Sequence, residues 1–261
     1  MDNNPAVSLQ RLGNHVALVT LTRPEVRNVV DPDVARGLEQ AIDETEADPN
    51  LWVVILAGSG EGAFCAGADL KAVKAGRAGE LYTERGGFAG FVHRARTKPW
   101  IAAVNGPALA GGCEIVLACD LIVAVPQARF GLPEVKRGLV AAAGGLYRLP
   151  RLLPPAVARE LILTGEPIEA VRAHALGMVN ELAPDRSGLL ATAEGLASRI
   201  TCNAPIAVRE SLAVARQAFE LTEAELRAAS EAGRARNMES EDYLEGPRAF
   251  VEKREPVWKG R

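Results

Sequence analysis

Apolar residues fall along this chain in two alternating patterns. Short unbroken apolar runs occur at Val16–Leu21, Leu51–Leu56, Trp100–Val104 and Leu121–Val125. Such runs read as strands, and the last three have the pattern of strands buried on both faces. Between the first two, Asp33–Glu46 carries Val34, Leu38, Ala41 and Ile42 at helical spacing and stops before Asp48-Pro49. Strands separated by helices predict an α/β fold with right-handed crossovers. Beyond about residue 155 the strand signal fades. Ala156–Thr164, Ile168–Leu176, Gly188–Ile200, Pro205–Phe219 and Thr222–Asn237 all read as helices rich in Ala, Glu and Arg. No Ser- or Gly-rich linker separates modules, and the chain divides into an α/β core, residues 1–195, and a helical C-terminal region, residues 196–261.

Composition narrows the classes of function. The 261 residues carry a formal charge of −3, where a general nucleic-acid binder would show a basic excess. No apolar run reaches the roughly 18 residues of a membrane span, and the polar start Met1-Asp2-Asn3-Asn4 lacks the character of a signal peptide. Cys65, Cys113, Cys119 and Cys202 form no CxxC pair, and His15, His93 and His174 lie far from them, so neither a disulfide framework nor a metal site is expected. These features predict a soluble cytoplasmic protein without nucleic-acid or membrane partners. Sixteen of the 25 glycines lie between Gly58 and Gly145. Clustered glycine marks backbone that turns tightly or approaches something closely.

Four segments in that cluster are candidate sites. Gly58-Ser59-Gly60-Glu61-Gly62-Ala63 fits a dinucleotide fingerprint, but it lacks the helix that should come directly after it. A plain turn is the favoured reading, with a nicotinamide-cofactor enzyme as the rival. In Ala66-Gly67-Ala68-Asp69-Leu70, Asp69 suits the cap of a helix starting near Leu70, whose first N–H groups are donors for an oxyanion; taken alone, a simple capped turn is the favoured reading. Asn105–Glu114 ends a strand and opens a helix at Gly111-Gly112, with Glu114 in the first turn of an otherwise apolar helix that runs to Ala118. That position suits the helix dipole, yet a carboxylate among apolar residues is costly unless it is used. Glu134 comes after Pro133 at a second helix start. The spacing allows the two acids to converge at one end of the sheet and share general acid and base roles, although on spacing alone two unrelated helix-start glutamates are the favoured reading.

Together these segments resemble the crotonase superfamily, the enoyl-CoA hydratase/isomerase fold, over essentially the whole chain. Leu21–Asn28 is similar to its first motif, Phe64–Lys71 and Ile101–Asp120 to its two oxyanion segments, and Phe130–Glu134 to the stretch bearing its second acid. The resemblance implies a spiral of repeated ββα units with a helical C-terminal region that assembles a homotrimer or hexamer. It implies that the Ala68 and Gly111 N–H groups hold a thioester oxygen and that Glu114 and Glu134 are catalytic. Ala66, Gly67, Asp69, Leu70, Gly112 and Ala142 would contact an acyl-CoA substrate, with Ala66 against the adenine. Lys71 and Arg27 would meet phosphates, and no cofactor is implied beyond the coenzyme A of the substrate. Having both acids points to enoyl-CoA hydration, with isomerisation, carnitinyl-CoA dehydration and non-catalytic acyl-CoA binding as alternatives. Gly86–Gly90, Leu149–Pro155 and Phe250–Arg261 look like the carnitinyl-CoA dehydratase branch. In one place the chain departs from the pattern: Ala141-Ala142-Ala143 precedes Gly144-Gly145 where hydratases commonly carry Pro-Gly. There the Ala142 N–H is the expected group for orienting water.

Overall fold

The computed structural model describes residues 6–261. Its strands are β1 (Val7–Gly13), β2 (Val16–Leu21), β3 (Val53–Gly58), β4 (Tyr82–Thr83), β5 (Gly87–Phe88), β6 (Trp100–Val104), β7 (Ala108–Leu109), β8 (Leu121–Ala124), β9 (Arg129–Gly131), β10 (Ile168–Glu169) and β11 (Glu181–Leu182). The helices are α1 (Pro32–Ala47), α2 (Leu70–Lys74), α3 (Gly111–Leu117), α4 (Gly145–Leu152), α5 (Pro155–Thr164), α6 (Ala170–Ala175), α7 (Leu189–Thr201), α8 (Pro205–Ala215), α9 (Glu223–Met238) and α10 (Glu241–Glu252).

A six-stranded sheet in the order β1-β2-β3-β6-β8-β11 forms the floor, parallel from β2 onward. β3 and β6 are buried along nearly their whole length, as their unbroken apolar runs require. α1 begins where Asp31 accepts hydrogen bonds from the Asp33 and Val34 N–H groups, and it buries Val34, Leu38, Ala41 and Ile42.

The spiral is visible in the path the chain takes beyond each long strand. β6 leads to the short β7 and then α3; β8 leads to the short β9 and then a 3₁₀ turn, Pro133–Arg137. After β3 the chain bridges at Cys65 to Ala108 before α2, and after β2 it bridges at Val30 to Ala68 before α1. The short segments thus form a second ladder, β10-β9-β7, extended by those bridges. Each turn of the spiral delivers a helix start next to the start from the neighbouring turn.

The structure corrects the sequence pattern in five places. β1, an edge strand paired antiparallel to β2, is not among the expected strands because Ser8, Gln10 and Arg11 dilute its apolar character. Ile168–Leu176 is not one helix: Ile168 and Glu169 pair with Phe130 and Arg129, and α6 starts only afterward. The helix expected to reach Phe219 ends at Ala215, where the Arg216 side chain turns to Asp120 at 2.7 Å. α4 and α10 are additional helices, α10 being capped by the Ser240 hydroxyl. α7 runs unbroken through residue 195 and packs on β3 and β6, whereas α8 and α10 both pack on α9.

Candidate active site

The site begins with two backbone donors. The bridge between Val30 and Ala68 is made by the neighbours of Ala68: the Val30 N–H donates to the Gly67 carbonyl, and the Asp69 N–H to the Val30 carbonyl. The Ala68 N–H therefore points away from that ladder and meets no backbone acceptor among the described residues. The same holds for the Gly111 N–H at the start of α3. Gly67 joins them. At its φ of +94° an added Cβ would stand 2.9 Å from the Ala110 Cβ and 3.1 Å from the Gly111 nitrogen.

Ala110 has φ 52° and ψ −130°, a conformation sparsely populated by residues with a side chain. Such backbone costs on the order of 1–3 kcal/mol and persists only where its surroundings impose it. Here the Ala110 N–H is tied to the Gly131 carbonyl at 2.9 Å, and the strained turn aims the Gly111 N–H outward. Gly112 lies so close to Cys65 that a Cβ would fall 2.1 Å from its carbonyl oxygen. The Asp69 side chain accepts from the Lys71 N–H at 2.8 Å, capping α2 as expected.

The two acids sit in different surroundings. Glu114 is 3% exposed, and its Oε1 accepts the Gly145 N–H at 2.9 Å. Burial raises its carboxyl above the ordinary value, and the Gly145 and Ala143 N–H groups and the Arg148 charge offset only part of that rise. Glu134 lies in the 3₁₀ turn, half-buried, with Oε2 buried and without a partner among the described residues. Burial, aided by the facing charge of Glu114, pushes Glu134 up to about 7. One carboxyl held by an N–H donor and one with an unserved oxygen thus differ in how strongly their surroundings favour the proton.

The spiral fold, the paired acids and the two unengaged N–H groups coincide with a match of residues 11–261 to the family model described as enoyl-CoA hydratase/isomerase. The chain belongs to the enoyl-CoA hydratase/isomerase family. Among its relatives is the carnitinyl-CoA dehydratase of Salmonella typhimurium, 41% identical over 248 residues, 93% of this chain and 94% of that one. An enoyl-CoA hydratase structure from Mycobacterium tuberculosis H37Rv superposes with a TM-score of 0.93 at 44% identity, covering 98% of this chain and 100% of that one. A carnitinyl-CoA hydratase structure from Mycobacterium avium gives 0.76 at 46% identity, covering 98% and 99%.

For this family member the predicted residues fall into two groups. Ala66, Gly67, Ala68, Asp69, Gly111, Gly112, Glu114 and Glu134 are drawn together by the ladder of short segments. Arg27 joins them through its carbonyl, which accepts the Ala66 N–H at 3.1 Å, and the residue itself is exposed. Leu70 and Lys71 stand exposed on α2, where Lys71 lines a polar cleft with Arg23, Asp31, Arg77 and Glu80.

At Ala142 the geometry corrects the expectation. Its N–H closes a tight turn onto the Val140 carbonyl at 2.9 Å, so the loop uses that donor internally, and the Gly145 and Ala143 N–H groups face Glu114 instead. Gly58–Ala63 is a turn. Gly58 and Gly60 are packed against Phe64 and Pro24, and the Asn28 amide donates to the Ser59 and Ala63 carbonyls. Sequence reasoning missed Gly145, Phe88 and Arg148. The ring of Phe88 covers Gly111 so closely that a Cβ there would lie 2.4 Å from it. The signal available for Gly145 was the second glycine of a pair at a helix start, the same signal that marked Gly111-Gly112.

Proposed function

We propose that this chain is a hydro-lyase acting on enoyl-CoA thioesters, with Glu114 as base and Glu134 as acid. The observation that carries the reading is the unequal pair: the buried Glu114 carboxyl, which accepts the Gly145 N–H, faces a carboxyl pushed up to about 7, beside two unengaged backbone donors. The thioester oxygen accepts from the Ala68 and Gly111 N–H groups, each such donor being worth about 3–4 kcal/mol toward the developing enolate. Glu114 takes a proton from water as its oxygen bonds to C3. The C2=C3 electron pair moves toward the thioester, and Glu134 gives its proton to C2. Water is added across the double bond, and a proton passing between the acids through solvent restores the starting state.

Lys71 and Arg27, at the rim, supply local positive charge for the phosphates of coenzyme A on an otherwise acidic chain. Gly67, Asp69 and Gly112 form the wall beside the thioester, Ala66 lies against the adenine, and the exposed Leu70 contacts the substrate from α2. The scheme is proton transfer throughout and asks for no cofactor other than the coenzyme A of the substrate. Self-association as a trimer or hexamer and a cytoplasmic setting complete the reading; among the described residues no helix is long and apolar enough to cross a membrane.

Carnitinyl-CoA dehydration is the second reading, favoured by the curated relatives that carry that name. Loss of enoyl-thioester absorbance with crotonyl-CoA and with crotonobetainyl-CoA separates the two. Turnover of either supports the hydro-lyase reading, and tight binding of both without turnover replaces it with a non-catalytic acyl-CoA binder.

A further inference from the structure

Arg148 is a half-buried guanidinium that the reaction scheme does not use. It sits one turn into α4, and its hydrogen bonds go to two backbone carbonyls from distant segments: Val92 at 2.6 Å and Ala143 at 3.2 Å. Among the described residues no carboxylate lies within ion-pair distance of it. Burying a cation on carbonyls alone is costly, so the charge calls for an explanation. Its surroundings supply one. The Ala143 end belongs to the loop whose N–H groups hold Glu114, and Val92 closes the segment that carries Phe88 onto Gly111. Gly144, with φ +113°, leaves just enough room: a Cβ there would stand 2.0 Å from the Arg148 Nη1.

We propose that Arg148 is a positioning residue: bridging the Val92 and Ala143 carbonyls, it fixes the loop that grips Glu114 and sets its positive charge against Glu114 and not against Glu134. The inference rests on the reading of Glu114 as the base. The charged and titratable groups facing Glu114 are Glu134, Arg148, Tyr82 and Cys113, so Arg148 is the cation among them. Glu134 faces Arg137 instead. Around Arg148 itself stand Arg151, Arg96, His93, Tyr147 and Cys119. Burial and the Arg148 charge hold His93 below its ordinary range, which keeps it neutral at pH 7 and adds no competing cation.

The test reads Glu114 directly and needs no substrate. In protein labelled with ¹³C at the glutamate carboxyls, the Glu114 signal is the one lost in Glu114→Gln, and its titration is tracked in Arg148→Met and Arg148→Lys. Arg148→Met should raise the Glu114 midpoint by about one pH unit, a tenfold change in its proton affinity. Arg148→Lys keeps the charge and loses the bridge, so its midpoint should stay near the native one while hydration kcat falls about tenfold, the scale of a modest misplacement of a catalytic group. An unmoved midpoint in a folded Arg148→Met overturns the proposal. If Arg148→Met does not fold, the lysine variant decides: native kcat there overturns it, and a tenfold loss at native midpoint upholds it. A chain that turned over no enoyl thioester would still show or fail to show the midpoint shift, so the failure of this inference is distinct from that of the hydro-lyase reading.

Discussion

Glu114 and Glu134 obey the same local rule, an acid in the first turn after a helix start, and end in opposite situations. Glu114 lies on α3, beneath a loop that turns the Gly145 and Ala143 N–H groups onto it. Glu134 lies in a 3₁₀ turn that offers its carboxyl only its own N–H, leaving Oε2 buried and unserved. Hydrogen bonds to the charged form favour ionisation, and desolvation without them favours the proton. Helix position sets where each acid stands, and the neighbouring loop decides how much of the cost of burial its hydrogen bonds offset.

The largest test of that contrast removes each acid in turn. Glu114→Gln and Glu134→Gln should each lower the hydration rate at least about a hundredfold, the lower scale for general acid–base groups. In Glu114→Gln the new side-chain amide oxygen can still accept the Gly145 N–H, so the loss there isolates the base from the loop. Near-native rates in both variants would break the two-carboxyl mechanism.

A smaller effect is expected from Gly67→Ala, which forces a side chain into a φ of +94° and against Ala110. The acids are untouched, yet the two N–H donors are pushed apart. The rate should fall by about ten- to a hundredfold, less than outright loss of one donor, with the Glu114 and Glu134 titrations unchanged. A shift in those titrations would show that the two halves of the site are not independent.

The smallest effect is on stability, and its sign is informative. Because the folded Glu134 carboxyl titrates at about 7 against an ordinary value of 4.5, the folded chain holds more proton than the unfolded one between those values. Stability therefore falls as pH rises through that window and stays lowered above it. Glu134→Gln removes the penalty, and at pH 8 it should be more stable than the native chain by about 1 kcal/mol, after allowance for the solvent that reaches this half-buried group. Hydration should decline in parallel as pH rises through about 7, when the proton shared by the pair is lost. Thermal melts at pH 4.5 and pH 8, with a rate profile between them, check both statements; an equal difference at both pH values would mean the unserved carboxyl is not strained by burial.

Much of this protein was legible in its residues. Unbroken apolar runs at Leu51–Leu56 and Trp100–Val104 could only be satisfied by strands covered on both faces, and Asp69 is a capping residue whose hydrogen bond is local. The glycine pair at Gly111-Gly112 marked a helix start that lines the site, whereas the same pattern at Gly144-Gly145 was not read as one. Periodicity reports only short-range patterns, and so it missed the contributions of distant segments. Ile168-Glu169 became a strand because Phe130 and Arg129 were there to pair with it. The Ala142 N–H is taken up inside its own turn, a detail of φ and ψ that three consecutive alanines do not encode. Above all, Glu114 and Glu134 read alike along the chain. Desolvation, the partnering loop and the reach of the Arg148 charge depend on distances through space, and those distances exist only once the spiral has closed.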